Sequence, residues 1–243
     1  NVALATGYQA FSLLHGLTFF IGVAGIAALV WAGIIAKRRG RDPRFTRWVA
    51  SVGLVFWFAQ QSYYVLVEQN WADSLPLHVC DLAGLVGPLA LLLRWRTLRT
   101  TLHFWALGLT IWGLLTPTLT NGPEHLRYWL FWISHCAVIF YAVYDCVVNR
   151  YRPYAKDCGM AFLITMAYVA VLLPINLANE GWNYAYLGDV ELNAATPLDL
   201  LPDWPWRIIG LQAAGVAVLV LVWLPWGVAR LGGKVCPRPN LRD

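Results

Sequence analysis

The sequence predicts an all-α integral membrane protein: a bundle of seven transmembrane helices, N-terminus outside and C-terminus in the cytoplasm, forming one domain over 1–243. Three observations predict it. The chain is 59% hydrophobic and only 13% charged, where soluble domains carry about 25% charged residues; its mean hydropathy is +0.54. Apolar runs of about 20 residues, the length that crosses a hydrocarbon core, recur from one end of the chain to the other. They do not alternate polar and apolar positions as the strands of an outer-membrane barrel do. Finally, the basic residues gather in every second connection.

The first span, 13–36, lacks a basic leader and is longer than a signal-peptide core, so it reads as a retained helix. The chain begins at Asn1, so an initiator segment is expected upstream. Lys37, Arg38, Arg39, Arg41, Arg44 and Arg47 separate it from the second span, 48–67, which leads to Glu68 and Asp73. The third, 76–93, opens on "LPLHVCD" and closes on Arg94, Arg96 and Arg99. The fourth is 101–117. The fifth, 128–148, precedes Arg150, Arg152 and Lys156. The sixth, 158–178, leads into the longest connection, 179–205, aromatic and acidic ("GWNYAYLGDVEL"). A structureless loop of that length is often a lid, and it is expected to fold over the outer opening; the plainer reading is an amphipathic surface connection. The seventh, 206–229, leads to Arg230, Lys234, Arg238 and Arg242.

With seven spans, 16 of the 18 basic residues fall on one side, leaving Arg127 and Arg207 on the other. The positive-inside rule makes the basic side cytoplasmic. Glu68, Asp73, Glu124, Glu180, Asp189, Glu191, Asp199 and Asp203 then lie outside. Tryptophans mark both interfaces, as indoles do: Trp71, Trp129, Trp182, Trp204 and Trp206 outside; Trp31, Trp48, Trp95 and Trp226 inside. The net charge of +5 is thus a topology signal and not a nucleic-acid footprint. Cys158 and Cys236 fall on the cytoplasmic side, Cys146 near it, and Cys80 and Cys136 within spans. No outside loop holds a cysteine, so no disulfide framework is expected.

Polar groups in a bilayer are costly and face a cavity or one another. Here they converge in the outer half: His15, Gln60, Gln61, Asp81, His135, Asn176 and Gln212. At about 1.5 Å per residue, Cys80 and Asp81 lie roughly 6–8 Å deep and His135 roughly 12 Å. The inner half holds only Asp145 and His103. A polar cavity opening outward follows. On the helical wheel Cys80 shares a face with Ala83, Gly84 and Gly87, while His78 points nearly the opposite way. A partner for Cys80 must therefore come from another span, and His135 is at compatible depth. Plainer readings stand beside these. Cys80 above two glycines also suits close helix packing, His135 also suits an interhelical hydrogen bond, His78 is structural by position, and Asp81 also suits a helix N-terminus. Cys136 points about 100° from His135 and reads as packing.

Other chemistries lack their residues. Lys37, Lys156 and Lys234 all lie outside the spans, so no Schiff-base lysine is available for a retinal. G-x-S-x-G, Walker A and H-E-x-x-H are absent. The spacing of His78 and Asp81 is a weak metal pattern, and no metal or cofactor is expected.

The stretches "LPLHVCD" (75–81), "LLTP" (114–117), "FWISH" (131–135), "YRP" (151–153), "GWNYAYL" (181–187) and "WPW" (204–206) resemble, in order, the signatures of the YwaF-like bacterial integral membrane proteins, related to eukaryotic transmembrane protein 164. The resemblance runs from about Phe56 to Pro225. It implies a fold related to the androgen-induced-gene hydrolases and, from the eukaryotic relatives, a cysteine acyltransferase that moves a fatty acyl chain from a phospholipid to a lysophospholipid. The family's catalytic Cys and His fall on Cys80 and His135. Asp81, His78, Gln60, Gln61, Asn176, Asn183 and Tyr184 are the supporting or substrate-binding candidates, with Asp81 or Gln60 expected to orient the base or stabilise an oxyanion. The implied setting is the plasma membrane of a bacterium, with the site opening to the extracytoplasmic side. Water in place of the acceptor would make the protein a lipid hydrolase. A lipid-binding or proton-coupled transport protein using His135 and Asp81 is the alternative from a different class.

Overall fold

A computed structural model describes residues 8–190 and 197–232, and all regular structure among them is helical. Glu191, Lys234, Cys236, Arg238 and Arg242 lie outside the described residues. Helix α1 (Leu13–Arg38) starts at Ser12, whose hydroxyl accepts the His15 N–H at 3.2 Å. It ends on Lys37 and Arg38, cations placed where the helix dipole favours them. Helix α2 (Asp42–Tyr63) begins earlier than the predicted 48, because Pro43 fits a first helical turn. It continues as a π-helical stretch, Tyr64–Glu68. A short α3 (Trp71–Ser74) leads to α4 (Val79–Leu93).

The predicted span 101–117 is corrected. Its helix begins at Arg96 as α5 (Arg96–Phe104), passes through a second π-helical stretch, Trp105–Thr110, and ends as α6 (Trp112–Leu115). Hydropathy reports the face a helix shows but not how tightly it is wound, so the π stretch left no trace in the pattern. Three long helices follow: α7 (Leu126–Val147), α8 (Ala155–Ala178) and α9 (Trp206–Leu231). Asp157 starts α8: its carboxylate accepts the Tyr154 N–H at 2.6 Å, and its own N–H donates to the Tyr154 carbonyl at 3.0 Å.

Four helices, α1, α7, α8 and α9, are long and apolar enough to cross a membrane. On α1, α8 and α9 large apolar side chains such as Phe20, Ile21, Leu163, Val171, Ile209 and Leu221 are more than half exposed. Contiguous apolar surface on this scale suits lipid and not water, and the chain is a multi-pass membrane protein. Helix α7 is the exception. Its Tyr128, Val138, Tyr141 and Tyr144 are buried, and it packs against α1, α4 and α5. Tyr141 lies in a slot formed by Gly53 of α2 and Gly87 of α4, where any added Cβ would strike its ring. Gly84 of α4 likewise lies against the Trp57 ring of α2, so both glycines below Cys80 serve close packing.

The two ends of the bundle differ. At one, the arginine end, Arg96 forks onto Asp157, and Arg99 Nε donates to Asp145 at 2.8 Å. Asn149 donates to the same Asp145 carboxylate at 3.0 Å, and Lys37 donates to the Val148 carbonyl. At the other, Tyr8 N–H donates to the Thr120 carbonyl at 3.0 Å and His15 Nε2 bonds the Leu114 carbonyl at 2.9 Å. Here the helices diverge around a cavity.

Candidate active site

The cavity has a volume of about 610 Å³ and two unlike walls. Gln60 and Gln61 of α2, Cys80 and Asp81 of α4, Thr110 of the π stretch and His135 of α7 form the polar wall. Phe162, Met166 and Val169 of α8 and Leu211, Ala214 and Val218 of α9 form the apolar one. On α9 the lining runs from Leu211 to Leu219, with Gln212 as its polar member, so this wall extends roughly 12 Å along that helix.

Cys80 sits in the first turn of α4. His78, extended at φ −69° and ψ 150°, occupies the N-cap position, but its side chain caps nothing. The His78 carbonyl accepts from Asp81 and Leu82 N–H at 3.1 Å, whereas the Val79 and Cys80 N–H groups, as the first of a helix, have no backbone acceptor among the described residues. The segment before Cys80 is held from two sides. Tyr168 of α8 donates its hydroxyl to the Leu77 carbonyl at 2.7 Å, and Trp57 of α2 donates to the Asp81 carbonyl at 2.7 Å.

His135 is held by one nitrogen and seated by a glycine. Its Nδ1 lies 2.8 Å from the Phe131 carbonyl, so that nitrogen carries the proton. Nε2 is left with its lone pair and no protein partner. The ring lies across Gly113 of α6, where a Cβ would come within 2.5 Å of Nε2. Phe131 packs on the ring at a centroid distance of 4.1 Å. Cys80 and His135 thus line one cavity from two helices. No hydrogen bond joins them among the described residues.

Above Cys80, Arg127 of α7 pairs with Glu68 and Asp73, and His78 Nε2 lies 3.7 Å from Asp73. Burial alone would raise the Asp73 carboxyl, but the nearby His78 ring and the charge and hydrogen bond of Arg127 outweigh it and hold the group below its ordinary value.

The other candidates serve elsewhere. Asn176 makes two hydrogen bonds to the Tyr184 backbone, both 2.9 Å. The Tyr184 hydroxyl donates to the Trp71 carbonyl at 2.7 Å and accepts the Leu75 N–H at 3.0 Å. Asn183 accepts the Gly188 N–H at 2.9 Å. Tyr184 thus ties the segment after α8 to the segment before Cys80, Asn176 and Asn183 hold that segment's own fold, and none of the three lines the cavity. That tie brings Ala185, Tyr186 and Leu187, together with Pro197, Leu198 and Leu201, onto the cavity. Ala185 and Tyr186 both adopt left-handed backbone, at φ 55° and 61°, a conformation non-glycine residues avoid. His15 is fully engaged at the base of α1, and Cys136 faces Gly22 of α1 as a packing residue.

Thr110, Gly113 and the Glu68–Arg127–Asp73 cluster escaped the sequence reading. The first two depend on the π stretch, and the cluster joins residues too far apart in sequence for spacing to reveal. A second cysteine–histidine contact also escaped it: Cys146 Sγ lies 3.3 Å from His103 Nδ1, both buried. Among the described residues no His, Cys, Asp and Glu cluster could hold a metal.

The model of the TMEM164 family matches residues 9–223, nearly the whole chain, and the protein belongs to that family. No curated protein and no solved structure matches it.

Proposed function

With family membership as the premise, we propose that the protein is a membrane-embedded phospholipid acyltransferase that carries the acyl group as a thioester on Cys80. The observation that carries this reading is the cavity itself. It sets a thiol and an unprotonated imidazole nitrogen on a polar wall opposite a long apolar one. A phospholipid ester has the same two-sided chemistry, a carbonyl attached to a hydrocarbon chain.

In the proposed cycle His135 Nε2 accepts the Cys80 proton as the sulfur attacks the ester carbonyl. Collapse of the tetrahedral intermediate breaks the ester C–O bond. The departing lysophospholipid oxygen takes the proton from His135, leaving an acyl-thioester. The hydroxyl of a second lysophospholipid then gives its proton to His135 and attacks the thioester, and the Cys80 thiolate leaves and is reprotonated. Water as acceptor gives hydrolysis. Substrates are thus phospholipid and lysophospholipid, and the cycle needs no cofactor.

The same proposal covers topology. Helices α2, α4 and α5–α6 complete seven crossings, with the cavity end extracytoplasmic, the arginine end cytoplasmic and the chain in a bacterial plasma membrane. The positive-inside bias supports that orientation. Asp81 and His78 are assigned supporting roles on the polar wall.

The test is intact mass of the purified protein after incubation with defined phospholipids, with and without hydroxylamine. A hydroxylamine-labile acyl adduct lost in Cys80→Ser and retained in Cys136→Ser is the expected result. If no adduct forms and Cys80→Ser keeps full lipid turnover, the acyl-enzyme reading falls. The cavity would then be read as a binding or transport site built on Asp81 and His135.

A further inference from the structure

Resting on the acyl-enzyme reading, we propose that Gln61 Nε2 and the backbone N–H of Cys80 form the oxyanion hole for attack on the ester carbonyl.

Thiolate attack moves a full negative charge onto the carbonyl oxygen. In a cavity with an apolar wall that charge needs fixed donors, and they must stand beside the nucleophile. The Cys80 N–H is one. It belongs to the residue that carries the sulfur, it has no backbone acceptor among the described residues, and it lies at the N-terminus of the fifteen-residue α4, where the helix dipole favours negative charge. One backbone donor does not make a site. The second observation is Gln61. It is 7% exposed, lines the same cavity and has no hydrogen-bond partner for either its nitrogen or its oxygen. A buried amide without partners costs about 1–3 kcal/mol, a cost that a ligand oxygen arriving in the cavity would remove.

Gln61 suits this role better than its neighbours. Asp81 offers a carboxyl group, which repels an oxyanion when ionised. The sealed, unpartnered atom of Gln60 is its carbonyl oxygen, an acceptor. Gln61 lies beside the Asp81 carboxyl group without completing a hydrogen bond to it, which places its amide at the first turn of α4.

The experiment compares two probes of the same thiol in Gln61→Met, which keeps the side chain's length and removes its donor. Iodoacetamide alkylates sulfur by displacement of iodide and forms no oxyanion. p-Nitrophenyl butyrate acylates it through a tetrahedral oxyanion and releases p-nitrophenol. Modification of Cys80 is read by peptide mass mapping of the full-length protein in detergent. Acylation slowed by about 10²–10³-fold with alkylation at the wild-type rate is the expected result. Equal slowing of both reactions would show that Gln61 merely shapes the cavity, and no slowing of either would show that it is idle; either overturns the proposal. Gln61→Glu adds a control for shape, since it keeps the outline, removes the donor when ionised and is expected to be at least as slow in acylation. If wild-type protein is alkylated but never acylated at Cys80, the acyl-enzyme reading itself fails and this proposal with it.

Discussion

The molecule holds two cysteine–histidine pairs, one at each end, and they are built in opposite ways. Cys146 and His103 touch, sulfur to nitrogen at 3.3 Å, under the rings of Tyr151 and Trp226, with His103 2% exposed. Cys80 and His135 do not touch. They face a cavity with room for a third party, and His135 Nε2 has no hydrogen-bond partner among the described residues. Around Cys146 the charged groups are paired: Arg99 with Asp145, Arg96 with Asp157. Near Cys80 the neutral polar groups Gln60 Oε1, Gln61 and Thr110 Oγ1 are buried without partners in residues that border the cavity, whereas His103 Nε2, also buried without a partner, does not border it. Proximity is cheap in a close-packed core. What separates a site from a packing contact is unfilled volume bordered by unfilled hydrogen-bonding capacity.

The largest expected effect tests that contrast directly. Cys80→Ser or His135→Ala should lower acyl transfer by at least about 10³-fold, while Cys146→Ser leaves the turnover number of folded protein within about twofold. Comparable loss from Cys146→Ser would erase the distinction between the two pairs. Next, Asp145→Ala should cost about 3 kcal/mol of stability, because it strands the Arg99 guanidinium and the Asn149 amide. Thermal unfolding in detergent should show a lower midpoint, and transfer per folded molecule should be unchanged. Gly113→Ala should then slow transfer by about 10²-fold, since the new methyl group must push the His135 ring off its seat. A normal melting temperature alongside that loss would place the defect in geometry and not in folding.

The smallest effect is a pH dependence. The folded Asp73 carboxyl titrates below its ordinary value, so its contribution is complete above the unfolded carboxylate range, about pH 4, and is lost as pH falls through the depressed value. The side chain is 42% exposed, so the contribution is no more than about 0.5 kcal/mol. Asp73→Asn should lower stability at neutral pH by that amount, leave the acid end of a melting-temperature profile unchanged, and so flatten the limb between them.

Much of this was legible in the sequence because it is written in composition and local order. The apolar runs announced the helices, and "LPLHVCD" with "FWISH" announced that Cys80 and His135 belong together. Depth along a helix, at a fixed rise per residue, was enough to bring them to one cavity. What stayed hidden is of another kind. Asn176, Asn183 and Tyr184 are polar residues near the mouth, but their partners are backbone groups of Tyr184, Trp71, Leu75 and Gly188, which side-chain identity cannot announce. The Cys146–His103 contact depends on two helices meeting at one height and one angle, and a wheel gives only the angle within one helix. Gly113 read as an ordinary small residue until the imidazole lying on it was seen.

The π-helical stretch Trp105–Thr110 makes the chain unequally sensitive to length. A π turn accommodates one residue more than the α-helix around it. Removing one residue from this stretch would let it rewind as a continuous α-helix while the part beyond keeps its facing, so Gly113 would stay under the His135 ring. Removing one residue from Arg96–Phe104 finds no such slack and would turn the part beyond by about 100°. Single-residue deletions in the six-residue π stretch are therefore expected to disturb the His135 seat far less than deletions in the helix just before it.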